Sequence, residues 1–355
     1  MKKLLDYLRN TDFYDVFVAK QEYGGAKDQF GRFLYKFCQN KDVSKPVVSD
    51  FLIKNGFLDV NWPENHRFAA CLTHDVESIY PTWKYTLFTA AKFASKLELK
   101  NSLRRIIAKN KKSSSENPFW NFKQILKLED QYDGKSSFYF KATLRDIVNW
   151  IYDIEDLTDE LHSIIDMGGE VGLHGGFFSY NNPEELKKEK KHLEKALNKE
   201  TIGVRMHYLR FEVPETWRIL SDLGFKYDTT YGFPDMPGFR NGMCHPFKPY
   251  DLNLGKEIDI MEIPLIIMDG SLFGLPIDEA WTIVQNLIDI TEKNKGVITI
   301  LWHSNNFDKI FNGNKLKFYE KILSYLKNKN AWMTSGADIY DYWRRNKYFR
   351  RTSES

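Results

Sequence analysis

Strand-like and helix-like runs alternate from about residue 66 onward, and this alternation constrains the fold of the 355-residue chain more than any other feature. Runs rich in β-branched and aromatic residues predict strands at 67–74, 136–142, 169–175, 202–208, 261–267 and 296–303. Amphipathic runs predict helices at 182–200, 276–295 and 315–330, and 331–335 adds a candidate last strand. The sequence therefore predicts an α/β fold with a parallel sheet or barrel.

The remaining residues predict additions to one large domain. Residues 1–65 contain short helix-like runs and predict a helical N-terminal appendage, whereas residues 66–345 hold the barrel. Residues 80–130 exceed an ordinary loop and combine aromatic with many basic residues, so they predict a helical insertion with a flexible tip at 109–117. This insertion either packs on the barrel or forms a lid or membrane-facing surface.

Charge and composition limit the partners of this chain. Lys and Arg number 51 against 48 Asp and Glu, a net charge of +3 that argues against a general polyanion binder, so no nucleic-acid partner is predicted. Cys38, Cys71 and Cys244 lack C-x-x-C spacing, which favours a reducing compartment. Because the N-terminal sequence has no signal-peptide-like apolar stretch and no run reaches transmembrane length, we predict a cytoplasmic protein. Peripheral attachment to the inner membrane stays open.

Two carboxylates stand at the end of the first predicted strand, in "CLTHDVES". Asp75 and Glu77 are two residues apart, so they share one face if the strand continues that far. Carboxylates this close disfavour each other's ionisation unless a cation intervenes, and a divalent metal ion would explain the pair. A D-x-E pair by itself is nevertheless more typical of a solvated strand end.

Histidines end three other predicted strands, and they make the metal interpretation stronger. His174, His207 and His303 are three of the eight histidines of the chain. Because the carboxyl ends of parallel strands meet at one edge, these histidines and the acids predict a single pocket. Arg205 stands two residues before His207 and can face the same cavity, where Asp75 is its natural partner.

Five motifs in a fixed order give the chain a resemblance to a known family. They lie within about residues 66–340 and are "THDVE", "EVGLHG", "GVRMHYLRF", "EIPL" and "LWH". The chain resembles polysaccharide deacetylases of the NodB-homology type, which form carbohydrate esterase family four, and more closely the branch associated with surface-polysaccharide biosynthesis. The resemblance implies a distorted (β/α) barrel and a metal-dependent hydrolase that removes acetyl groups from N-acetylated sugars. The sugar could be free, nucleotide-linked or lipid-linked.

The resemblance also implies a role for each candidate residue. Asp75 is expected to be the general base, and Arg205 the residue that orients it. His303 is expected to be the general acid. Glu77 and His174 are expected to bind the divalent ion, for which zinc is the expected identity.

The chain departs from the family's pattern at its metal ligands. The family's second motif is H-x-x-x-H, but Phe178 stands four residues after His174. Glu77 replaces the usual aspartate of the first motif. His207 stands where the third motif commonly has proline, and we infer that it replaces the missing imidazole ligand. His245, a water molecule, or the absence of any metal are the alternatives.

Two other functions remain compatible with the sequence. One is a catalytically inactive carbohydrate-binding or scaffold protein, and the other is a related metal-dependent amidohydrolase acting on another C–N bond. The presence of Asp75, Arg205 and His303 favours an enzyme, because a decayed site has no reason to keep the base, its orienting arginine and the acid.

Overall fold

A computed structural model of the chain describes residues 2–39, 42–107, 117–147, 152–309, 312–346 and 348. The strands are β1 Phe68–Val76, β2 Ser137–Phe140, β3 Glu170–Gly175, β4 Gly203–Met206, β5 Tyr227–Asp228, β6 Tyr250–Asp251, β7 Lys256–Glu257, β8 Met261–Glu262, β9 Leu265–Met268, β10 Val297–Leu301 and β11 Ala331–Thr334. The helices are α1 Lys2–Leu8, α2 Phe13–Phe17, α3 Val47–Lys54, α4 Trp83–Ala94, α5 Leu99–Ile107, α6 Phe122–Asp130, α7 Thr158–Asp166, α8 Pro183–Leu197, α9 Glu215–Asp222, α10 Asp269–Leu272, α11 Ile277–Lys293, α12 Gly313–Asn328 and α13 Gly336–Asn346. The predicted flexible tip at 109–117 lies outside the described residues except for Asn117.

Nine of the described strands form one sheet in which every strand pair is parallel. Their order is β8–β5–β4–β3–β2–β1–β10–β9, and β11 pairs with the first half of β1. Only Ile263 and Pro264 separate the two edge strands, β8 and β9, so the sheet curls back on itself into an incompletely closed barrel. The predicted α/β fold, a distorted (β/α) barrel, is confirmed.

Local sequence explains how these elements form. All nine residues of β1 are buried, as expected for a strand in a parallel sheet that is covered on both faces. Gly172 of β3 lies so close to Tyr139 of β2 that a Cβ atom would stand 2.5 Å from the tyrosine ring. Helix α8 begins at the predicted cap, where Asn182 Oδ1 accepts a hydrogen bond from the Glu185 backbone N–H at 3.2 Å.

The predicted strand at 261–267 differs from the structure. It is two short strands, β8 and β9, with Pro264 between them, because proline has no N–H to donate to a strand ladder. Strand β5 was not predicted from the sequence, because it has only two residues and leaves no periodic signal.

The described part of the N-terminal region packs into the barrel. Leu8, Phe17 and Leu52 are buried in the same hydrophobic cluster as the barrel strands. Glu22 is buried and paired with Arg240, with Oε2 and Nη2 2.5 Å apart. Helices α4, α5 and α6 occupy much of the predicted insertion at 80–130. No described helix is both long enough and apolar enough to cross a bilayer.

Candidate active site

The carboxyl ends of β1, β3, β4 and β10 bring six side chains to one edge of the sheet, as the sequence analysis predicted. Three of them lie within strands and three lie one or two residues beyond a strand end. The first three are Asp75 in β1, His174 in β3 and Arg205 in β4; the second three are Glu77, His207 and His303. Parallel pairing fixes this arrangement, because all four strands run in the same direction and end together.

Three ligand atoms converge in a set that fits a divalent metal ion. His207 Nδ1 is 3.1 Å from His174 Nε2 and 3.2 Å from Glu77 Oε1, and the three ligand atoms lie within 4.8 Å of one another. Two nitrogen atoms that bind the same zinc ion in a tetrahedral arrangement, each at a Zn–N distance of about 2.0 Å, lie about 3.3 Å from each other. The contact between two imidazole nitrogens therefore matches the spacing of two ligands on one ion.

The charge states of two of these side chains also suit metal binding. Burial alone raises the pKa of the Glu77 carboxyl, but its hydrogen bond with His207 and the positive charge of His303 outweigh burial and lower the pKa below its ordinary value. Burial lowers the pKa of His174, and the nearby His207 and Lys141 add to this effect. His174 Nδ1 is 3.1 Å from the Arg205 backbone oxygen, so Nδ1 carries the proton and Nε2 is left as a ligand.

His245 does not belong to this site. The Cys244 carbonyl accepts a hydrogen bond from the N–H of Val297, the first residue of β10, which places His245 at the opposite end of the strand from His303. His245 Nδ1 is 2.9 Å from Ser49 Oγ. This position rules out His245 as the third ligand.

The backbone turns sharply after His207. Tyr208 and Leu209 have φ angles of 61° and 53°, in the left-handed region that non-glycine residues seldom adopt. Two such residues in succession cost roughly 1–3 kcal/mol each, and strain of this kind clusters at functional sites. Just before this turn, the His207 ring lies 5.1 Å from the His174 ring, measured between centroids.

Asp75 is a buried carboxylate held beside a buried arginine. Its Oδ1 is 3.7 Å from Arg205 Nε, and its Oδ2 is 3.7 Å from His174 Nδ1. Arg205 is fixed by hydrogen bonds to the hydroxyls of Thr73 and Thr229, at 2.9 and 3.2 Å. Burial raises the pKa of Asp75, although the positive charge of Arg205 opposes the rise. Among the described residues Asp75 Oδ1 has no hydrogen-bond partner, so it is free to accept a proton.

His303 is paired with a carboxylate that the sequence analysis missed. Its Nδ1 is 2.7 Å from Asp269 Oδ1, and its backbone N–H donates to Asp269 Oδ2 at 2.8 Å. Burial lowers the pKa of His303, but the charge and hydrogen bond of Asp269, together with Glu77 and Asp75, raise it to about 10. At neutral pH His303 is therefore an imidazolium, and its Nε2 lies 3.7 Å from Glu77 Oε1.

Replacing Asp269 by Asn is expected to lower the pKa of His303 from about 10 toward its ordinary value of 6.5, because Asp269 makes the largest contribution against burial. NMR spectra of the protein prepared without divalent ions can follow this titration. We expect the same variant to lose about 10²-fold in turnover. A His303 pKa that stays near 10 in this variant would mean that Glu77 and Asp75 are sufficient to raise it without Asp269.

A buried ion pair contacts His207 from the side opposite the ligand atoms, and it too was missed. Lys141 Nζ is 3.1 Å from His207 Nε2 and 2.9 Å from Asp146 Oδ2. Because an ammonium group can only donate, Lys141 holds His207 in the tautomer that carries its proton on Nδ1. Binding an ion at Nδ1 requires this proton to move to Nε2, where Asp146 Oδ2 is the nearby acceptor at 3.8 Å.

Replacing Lys141 by Met is therefore expected to tighten zinc binding by about 10-fold or more, since it removes a buried positive charge and the competing tautomer. Competition with a chromogenic zinc chelator measures the change. Lys190→Met is the matched control, because Lys190 is also mostly buried and paired, with its Nζ 2.9 Å from Glu194 Oε1. Weaker zinc binding in Lys141→Met would show instead that Lys141 supports the His207 ring.

Comparisons with known proteins identify the fold. No protein-family model and no curated protein sequence matches the chain. A structure assigned as a polysaccharide deacetylase from Mycobacterium smegmatis matches with a TM-score of 0.54 and 17% identity, over 84% of this chain and 97% of that one. The PuuE allantoinase matches with a TM-score of 0.55 and 15% identity, over 92% of this chain and 100% of that one.

A third structure, assigned as a polysaccharide deacetylase from Pseudomonas aeruginosa PAO1, matches with a TM-score of 0.54 and 14% identity. The match covers 84% of this chain and 99% of that one. Identities this low show that the barrel is shared, and they leave the activity to be inferred from the site itself.

Proposed function

We propose that this chain is a metal-dependent hydrolase that removes an acetyl group from an N-acetylated sugar during the synthesis of a surface polysaccharide or glycolipid. One observation carries the proposal: the ligand set of Glu77, His174 and His207 adjoins both a buried carboxylate, Asp75, and an imidazolium, His303. Metal-assisted amide hydrolysis uses a bound ion, a general base and a general acid in one place. The order of the motifs, which resembles that of NodB-type deacetylases, supports the substrate class and the biosynthetic role.

The side chains divide the reaction between them. A divalent ion, for which two imidazoles and a carboxylate favour zinc, would polarise the acetyl carbonyl and lower the pKa of a water molecule toward about 7. Asp75 accepts the proton of the attacking water, and Arg205 keeps its carboxylate oriented. His303, which Asp269 holds as an imidazolium, then donates its Nε2 proton to the nitrogen of the sugar as the C–N bond breaks. The products are acetate and a free amino sugar.

Incubating the purified, zinc-supplied chain with a panel of N-acetylated sugars tests this proposal. The panel contains free, nucleotide-linked and lipid-linked forms, and both acetate and new primary amine are measured. We expect the two products in equal amounts, lost with a chelator and restored by zinc. A zinc-loaded protein that binds these sugars but releases no acetate would instead be the inactive carbohydrate-binding protein.

A second candidate function is hydrolysis of another C–N bond by the same site. One of the matched structures is named an allantoinase, so allantoin belongs in the panel beside the sugars. Consumption of allantoin without release of acetate from any sugar would replace the proposed function with this one.

A further inference from the structure

Helices α4 and α5 are packed with their polar sides inward. In α4 the buried side chains include Thr86 and Thr89, whereas Leu87 is exposed. In α5 the buried side chain is Arg105, at 7% exposure, whereas Leu99 and Leu103 are 69% and 60% exposed. A surface helix normally buries its apolar stripe. These two helices are the reverse, because their apolar sides face away from the core of the chain.

Specific contacts hold the two helices in this orientation. Arg105 Nη2 lies 3.2 Å from both carboxylate oxygens of Asp308, and the Tyr85 hydroxyl of α4 also donates to Asp308. A buried guanidinium is tolerated only when it is paired in this way. Asp308 follows β10 by a short 3₁₀ turn, Ser304–Phe307, which begins next to His303. The helix pair is therefore attached at the edge of the sheet where the candidate active site lies.

Positive charges run beside the exposed apolar side chains. Within residues 83–107 six residues are basic and only Glu98 is acidic, although the whole chain carries a net charge of only +3. Lys100 and Arg104 of α5 are exposed and spaced four residues apart, and the exposed Lys96 stands in the turn before the helix. The exposed Leu99, Leu103 and Ile107 repeat at the same spacing. Side chains four apart lie on one helix face, so a basic stripe adjoins an apolar stripe along α5.

The segment after β2 adds apolar surface at the same edge of the sheet. Leu144 is 77% exposed, and Ile147 is also exposed. In the sequence they follow Lys141 by three residues and Asp146 by one, respectively, and Lys141 and Asp146 form the ion pair that contacts His207. Two separate segments that join the sheet at the edge of the candidate active site therefore carry exposed apolar side chains.

We propose that the surface formed by Leu99, Leu103, Lys100 and Arg104, with their neighbours on α4 and α5, docks on an anionic lipid bilayer. An apolar stripe alone would fit many occupants, but the adjoining basic stripe complements anionic lipid headgroups. Docking there brings the pocket to the membrane, so the substrate would be an N-acetylated sugar carried on a lipid. This substrate class rests on the proposed function, whereas the docking itself does not.

Flotation with lipid vesicles tests the docking without any turnover. The full chain is mixed either with vesicles of about equal parts phosphatidylglycerol and phosphatidylcholine or with vesicles of phosphatidylcholine alone. We expect it to float with the anionic vesicles and at least about 10-fold less with the neutral ones. Both Leu99→Gln/Leu103→Gln and Lys100→Glu/Arg104→Glu should lower anionic-vesicle binding by a similar factor.

Matched controls carry the same changes elsewhere on the surface. Leu254→Gln/Ile277→Gln alters two exposed apolar residues, and Lys187→Glu/Lys191→Glu reverses two exposed charges on α8; neither should change vesicle binding. All four altered positions on α5 are exposed, so unfolding temperatures should not change.

Three results would overturn the docking proposal. The first is a chain that floats with neither kind of vesicle, and the second is equal flotation of the α5 variants and their controls. The third is a chain that binds no vesicles but forms a dimer in light scattering, and whose dimer dissociates in the variant Leu99→Gln/Leu103→Gln. A second copy of the chain would then cover the apolar stripe. A chain that floats as expected but hydrolyses no acetylated sugar would overturn the proposed function and leave the docking intact.

Discussion

Replacing Asp75 by Asn is expected to lower kcat on an N-acetylated sugar by about 10³-fold, because the amide keeps the shape of the carboxylate but cannot accept a proton. The buried position of Asp75 beside Arg205 makes it the best-placed base in the pocket. Because Asp75 is not one of the three converging ligand atoms, the variant should keep most of its zinc. Acetate release at saturating substrate and metal analysis of the same preparation measure both effects.

Asp251→Asn is the matched control for this experiment. Asp251 is also a buried carboxylate paired with an arginine, since its Oδ2 is 2.6 Å from Arg218 Nε, but it lies in the β6–β7 hairpin outside the main sheet. We expect Asp251→Asn to retain turnover per folded molecule. If Asp75→Asn retained even a tenth of normal turnover, another group would have to be the base.

Replacing His303 by Ala is expected to lower turnover of an N-acetylated sugar by about 10²–10⁴-fold, because the departing sugar amine must receive a proton. An activated phenyl acetate has a leaving group that needs no proton, so its hydrolysis should fall much less. The ratio of the two losses separates proton donation from a general disturbance of the pocket.

His66→Ala controls for the removal of a partly exposed imidazole. His66 stands just before β1, at the end of the barrel away from the pocket, and contacts Asn330. This variant should change neither hydrolysis rate. Equal losses on both substrates in His303→Ala would show that His303 packs the site or binds the acetyl group.

The sequence predicted the barrel and the meeting of six side chains because both depend on periodicity and topology alone. A parallel strand ends where its apolar run ends, and all such ends lie at one edge, so Asp75, His174 and His303 could be placed together without any knowledge of loop structure. The same reasoning applied to the ends of β2 and β9 would have pointed to Lys141 and Asp269.

Those two residues were overlooked for physical reasons. A Lys or Asp after a strand is ordinarily solvated, and only the burial of the Asp146 and His303 partners reveals the pairing. The turn that follows His207 was equally hidden, because positive φ angles at Tyr208 and Leu209 form it and no glycine marks it. Such conformations are set by tertiary packing rather than by local propensity.

The orientation of α5 could not be read from the sequence either. Its apolar residues repeat with the same helical period whether they face the core or the solvent, so both packing on the barrel and a membrane-facing surface were compatible with residues 80–130. The buried contact between Arg105 and Asp308 decides which side faces inward.

Zinc content of the purified chain and of His207→Ala is the most direct measurement of the central claim, that Glu77, His174 and His207 hold a catalytic metal ion. His245→Ala is the matched control, since His245 is equally buried but lies at the opposite end of β10. We predict one zinc ion per chain in the unaltered protein and in His245→Ala, and little or none in His207→Ala, as also in His174→Ala. Stoichiometric zinc in His207→Ala would contradict the assignment of the site.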